Sequence, residues 1–157
     1  MTPHDLVSAA QDLVGNGKGA PRQANLRRAI STAYYALFHC LARCCADTLV
    51  GTASANRSEP AWHQVYRALE HRDAAKRCEH NRIQRFSPEI QEFAGSFVDM
   101  QRKRHRADYA FEGHWLESEV ADDISQAAAA IALLERAPLK DRRAFAVYVL
   151  LRLRPGR

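Results

Sequence analysis

The stretch FSPEIQEFAGSFVDMQRKRHRADYAF, Phe86 to Phe111, decides the fold. Phe86, Ile90, Phe93, Phe97 and Met100 recur at spacings of four and three, the rhythm that stacks side chains on one face of a helix. Ser87-Pro88-Glu89 places a capping residue and then proline in the first helical turn, which fixes the helix start. Gly113 marks the expected end. The same rhythm next delivers Arg104 and Asp108 before returning to Phe111. Burying charge is costly unless it is paired. Either the stripe leaves the core at Met100, or Arg104 and Asp108 pair inside a cleft.

Working outward, His4 to Val14 reads as a short helix ended by Gly15-Asn16-Gly17. Pro21 suits the first turn of a long segment that reaches about Leu49 without internal Gly or Pro. Leu26, Ile30, Ala33, Leu37, Leu41 and Cys44 form its inner stripe, widened by Tyr34, Phe38 and Cys45. Arg28, Thr32, Tyr35, His39 and Arg43 lie on a separate polar face. Gly51 to Pro60 is loop by composition, and Ala61 to Glu70 is helical with Trp62, Val65, Tyr66 and Leu69 on one side. Arg72 to Arg85 is polar and weakly periodic, a loop or a poor helix. A helix from about Ser118 to Arg136 begins acidic, which suits its dipole. Lys140 to Arg152 completes the set as a helix, with a buried strand over Ala144 to Leu151 as the alternative. The pattern predicts an all-α antiparallel bundle of about five or six helices.

The 157 residues are 46% apolar and 26% charged, ordinary for one globular domain. No basic segment followed by an apolar run opens the chain, and the longest apolar runs, Ala127 to Leu134 and Ala144 to Leu151, fall far short of the roughly twenty residues a membrane span needs. A cytoplasmic setting without membrane contact is expected. The whole net charge of +5 resides after Pro138, in Lys140, Arg142, Arg143, Arg152, Arg154 and Arg157 against Asp141. Such a tail suits a polyanion, or is a solvated helix end. Cys40, Cys44, Cys45 and Cys78 should be reduced thiols. They form no C-x-x-C pair, so neither a metal nor a cofactor is expected.

Two segments together resemble one family. LRRAISTAYYALFHCLA, Leu26 to Ala42, is similar to the second helix of HEPN domains, where a basic start precedes Tyr-Tyr-Ala-x-Phe-His. QRKRHRADYAF, Gln101 to Phe111, is similar to the Arg-x-x-Ala-Asp-Tyr helix end of the family's bacterial branch. The likeness covers residues 1–137, with 138–157 as a basic C-terminal helix and tail packed on or extending that bundle. It implies an RNA- or nucleotide-associated bundle, often a homodimer. Many members are metal-independent ribonucleases, found as toxins beside nucleotidyltransferase partners or in antiviral defence. In those, an arginine and a histidine separated by four to six intervening residues act from two subunits in one cleft. Here the corresponding positions after Arg102 are Ala107, Asp108 and Tyr109, and those after Arg104 are Tyr109, Ala110 and Phe111. Arg57 and His63 have the spacing but lie off the motif helix.

Metal-free RNA cleavage needs a base, a proton donor and a cation on the phosphate. The candidates are Arg104 as cation, Asp108 as base and His105 as the residue of near-neutral type. A carboxylate beside an arginine stays ionised and makes a poor base, so Arg104 and Asp108 suit holding geometry better than moving protons. Arg102, His105, Arg106 and Tyr109 share roughly one quadrant of the helix and are candidate phosphate and base contacts. Arg28, Tyr35 and His39, with Arg43, are candidates for the facing groove wall or for a dimer surface. The resemblance implies an RNA- or nucleotide-associated HEPN-like protein, with a ribonuclease or toxin/defence component carrying a degenerate motif as its catalytic form. The alternative is a noncatalytic dimeric module that binds a protein such as a nucleotidyltransferase.

Overall fold

In the computed structural model, residues 1–15 and 19–155 are described. They form seven α-helices and one 3₁₀ turn: α1 (Pro3–Gly15), α2 (Gln23–Leu49), α3 (Glu59–Ala68), α4 (His71–Glu79), the turn Asn81–Arg85, α5 (Pro88–Tyr109), α6 (Glu117–Arg136) and α7 (Leu139–Leu150). No strand occurs among the described residues, so the last segment is helical. Asn16 and Gly17, read as the stop of the first helix, lie outside the described residues, as does Arg157.

Helix α2 is the centre. Its 27 residues span about 40 Å, and α1, α3, α5, α6 and α7 all pack on it. Ile30, Tyr34, Leu37 and Leu41 are fully buried and meet Phe93 and Phe97 of α5 and Ile131 and Leu134 of α6 in one continuous core. Contacts pair Arg27 with Ala110, Ser31 with Asp108 and Tyr35 with Arg104. Position rises along α2 as it falls along α5, so the two helices are antiparallel. Lys103 of α5 reaches the buried Asp123 of α6 at 2.5 Å, closing the α5–α6 seam.

The helix count exceeds the expected five or six because Arg72–Arg85 folds. Helix α4 buries only Ala74, Ala75 and Cys78. Three small side chains suffice against close neighbours, yet they leave a faint apolar signal amid charge. The basic C-terminal segment is also less detached than its composition suggests. Phe145 is fully buried, its ring 5.7 Å from Phe86 and 6.2 Å from Phe93. Arg143 donates to the Thr48 carbonyl at 3.1 Å, Arg142 to the Ala137 carbonyl at 2.9 Å, and Tyr148 to the Arg77 carbonyl at 2.7 Å. All three donors meet carbonyls in the last turn or cap of a helix, where intrahelical N–H partners run out.

Two details of α5 differ from the sequence reading. Ser87 does precede the helix, but its hydroxyl makes no capping bond and is buried without a partner. The helix stops at Tyr109, four residues before Gly113. Arg27 supplies the reason: its Nε takes the Ala107 carbonyl at 2.7 Å and Nη2 the Ala110 carbonyl at 2.5 Å, acceptors that further helical N–H groups would have used. Gly113 instead shapes the turn. Its φ is +153°, and a Cβ there would lie 2.9 Å from the Trp115 ring. No helix of the described residues is long and apolar enough to cross a membrane.

Truncating Phe145 to alanine opens a cavity where three helices meet. It should lower unfolding stability by about 3–5 kcal/mol, measured by urea denaturation, with one cooperative transition retained.

Candidate phosphate-binding grooves

Arg104 and Asp108 take the paired arrangement. Arg104 Nε donates to Asp108 Oδ2 at 3.0 Å, and the side chains are 18% and 31% exposed. Arg104 Nη2 also donates to the Tyr35 hydroxyl at 3.3 Å. The guanidinium carbon lies 5.3 Å and 5.4 Å from the ring centroids of Tyr34 and Tyr35, within cation–π reach. Ser31 donates to the other Asp108 oxygen through a short hydrogen bond. Burial opposes the arginine's charge, but Tyr35, Asp108 and Tyr34 outweigh it and hold its pKa above the ordinary value.

The pair forms the divide between two open grooves. The first, about 710 Å³, runs between α2 and the end of α5 and is lined by Gln23, Asn25, Arg27, Arg28, Ser31, Tyr35 and Asp108. The second, about 500 Å³, lies on the α4 side and is lined by His71, Arg72, Gln101, Arg102, Arg104 and His105. No carboxylate lines this second groove.

The quadrant Arg102, His105, Arg106 and Tyr109 does not act as one patch. Arg102 pairs with Glu79 of α4, while Arg106 lies over the Trp115 ring at 5.5 Å. His105 and Tyr109 remain together, ring centroids 4.9 Å apart, and Tyr109 is 68% exposed. On α2, Tyr35 and Arg28 reach the first groove. His39 does not: its Nδ1 is 2.5 Å from the Tyr66 hydroxyl, turned toward α3. Of the loop match, Arg57 is committed to Glu59 at 2.8 Å and lies 4.7 Å from the Trp62 ring.

The residue missed by sequence reasoning is His71, which carried no motif. Its ring stacks on Phe38 at 3.7 Å, and its Nδ1 is 2.7 Å from the buried Tyr34 hydroxyl. A buried phenol needs an acceptor for its proton; Nδ1 fills that need, which places the imidazole hydrogen on Nε2. Burial, then the nearby Arg104, push the His71 pKa below the usual histidine value. His71 therefore presents a neutral N–H donor beside an arginine and is not a base. Gln23 was also missed: it holds the Trp115 backbone by two bonds of 3.0 Å and 2.8 Å. Neither had a sequence signal, because each acts on residues distant along the chain.

Burial pushes all four thiols up, Cys44 and Cys78 to about 12. Among the described residues no three His, Cys, Asp or Glu side chains are grouped to hold a metal. The chain matches no family model, no curated protein and no solved structure.

His39 and His71 both have depressed pKa values. The unfolded chain takes up their protons first, so the stability they contribute is present above about pH 6.5 and is lost as pH falls toward the folded values. Unfolding free energy measured by denaturant between about pH 7 and pH 5 should decline, and the slope should be shallower in His71→Gln.

Proposed function

We propose that the chain is a HEPN-like, RNA- or nucleotide-associated domain that holds phosphate in the second groove without cleaving it. The observation that carries this reading is the lining: His71, Arg72, Arg104 and His105 line one hollow with Arg102, and the Glu79 that pairs with Arg102 is not among its lining residues. Arg72 has no ion pair among the described residues. Clustered donors and cations of this kind attract phosphate independently of sequence. Tyr109 and His105 at the groove's end offer rings for a base to stack on.

Several features argue for binding over cleavage. Asp108 is occupied by Arg104 and Ser31, and the tautomer of His71 makes it a donor. His105 is the candidate left in that groove for proton transfer, and among the described residues only Tyr109 is shown orienting it. The HEPN resemblance supports the same reading through the two motif segments, which lie against each other as α2 and α5.

A protein-binding module is the second reading, favoured by one feature. Tyr109 is 68%, Phe111 98% and Leu116 48% exposed around the end of α5. A second copy of the chain or a nucleotidyltransferase-type partner would cover such a patch.

Fluorescence anisotropy with a labelled single-stranded RNA tests the proposal. Affinity should fall steadily with salt, and Arg72→Gln should reduce the log–log slope by about 0.7. Binding unchanged between low and high salt would overturn the phosphate reading. In the same buffer with chelator, total RNA should stay intact. Cleavage to 2′,3′-cyclic ends that His105→Ala abolishes would replace binding by catalysis.

A further inference from the structure

Apart from the grooves, the fold encloses a cavity of about 330 Å³ where the second half of α2 meets the start of α1, the end of α6 and α7. Its floor is apolar. Pro3, Cys40 and Leu134 are buried there, with Cys44 half-buried beside them. Its rim is charged, and the charges are unequally committed. Asp47 accepts the Trp62 indole N–H at 2.9 Å and lies 3.5 Å from Arg57. Glu135 is held by His4 at 3.0 Å. Arg43 is only loosely engaged, 3.7 Å from Asp47. Arg142 has no ion pair among the described residues. The one hydrogen bond its side chain makes among the described residues, from Nε to the Ala137 carbonyl at 2.9 Å, leaves both terminal amino groups unused there.

A half-buried guanidinium without a counter-ion over an apolar hollow defines what would fit. A planar arginine fork matches a carboxylate with two parallel hydrogen bonds. The volume lies at the small end of the usual range for ligand sites, about 300–1,000 Å³. We propose that this cavity binds a small organic anion, a carboxylate on a compact apolar body, with the carboxylate on Arg142 and Arg43 and the body on Cys40, Cys44 and Leu134. An uncharged molecule of the same shape leaves Arg142 unpaired, and a bare inorganic anion leaves the floor uncovered.

The cysteines serve as surface and not as chemistry. Burial raises the Cys44 thiol to about 12, so it stays protonated and neither attacks nor ligates. From Tyr35, which accepts from Arg104 beside the second groove, to Cys44 here is about 13 Å along α2. The inference therefore stands or falls apart from the phosphate reading.

Titration of the ¹⁵N-labelled chain with benzoate, benzyl alcohol and inorganic phosphate tests it by amide shifts. Benzoate should shift Cys40, Arg43, Cys44 and Glu135 saturably, and both control probes should bind at least about tenfold more weakly. Arg142→Gln should cost about tenfold or more. Because that change also removes a helix-end bond, Cys44→Leu, which narrows the floor of the hollow and keeps every charge, should weaken benzoate binding with the remaining spectrum unaltered. Absence of saturable shifts, equal binding of benzyl alcohol or phosphate, or full binding by Cys44→Leu would each overturn the site.

Discussion

A single guanidinium joins the two helices on which the site is built. Arg104 enters a face that would otherwise be apolar, and there it is surrounded on every side that matters. Asp108 takes its Nε, Tyr35 accepts from Nη2, and the rings of Tyr34 and Tyr35 lie against its plane. Removing any one partner leaves a half-buried cation less compensated, and that cost is larger than the worth of the same pair on an exposed surface. The arrangement thereby fixes how α5 lies along α2, and Ser31 on Asp108 and Arg27 on the last carbonyls of α5 continue it toward the helix end.

The grooves follow from that seam. Because Arg104 is anchored, the residues flanking it along α5 diverge: Arg102 toward α4, Arg106 toward Trp115, His105 and Tyr109 outward. His71 approaches from α4, and Tyr34 determines which of its nitrogens carries hydrogen. The result is a donor-rich surface with fixed geometry and no free base buried within it. Such a surface suits holding an anion, which needs charge and direction, better than breaking one, which needs protons moved in a defined order.

How much was legible in the chain depended on how local the cause was. The stripe from Ile90 to Met100 and the inner face of α2 were plain because apolar spacing is a property of neighbouring residues. The pairing of Arg104 with Asp108 was legible for the same reason, since residues four apart face each other on a helix. Helix α4 was obscured because its buried face is only Ala74, Ala75 and Cys78. The end of α5 was misplaced because Arg27, some eighty residues earlier, terminates it. His39 looked equivalent to Tyr35 on a shared face, yet Tyr66 of α3 draws it away from the groove.

The sequence by itself determined the class of fold, the two helices that carry the motif segments and the charged pair between turns of α5. Periodicity and capping act over a few residues, so they can be read in one dimension. Only the tertiary structure decided that His71 stands beside Arg104, that Trp115 receives Arg27, Arg106 and Gln23, and that Arg142 lies over the hollow by Cys44 with no ion pair among the described residues. Those contacts depend on how the helices and their connections are laid together, a choice that no local pattern encodes.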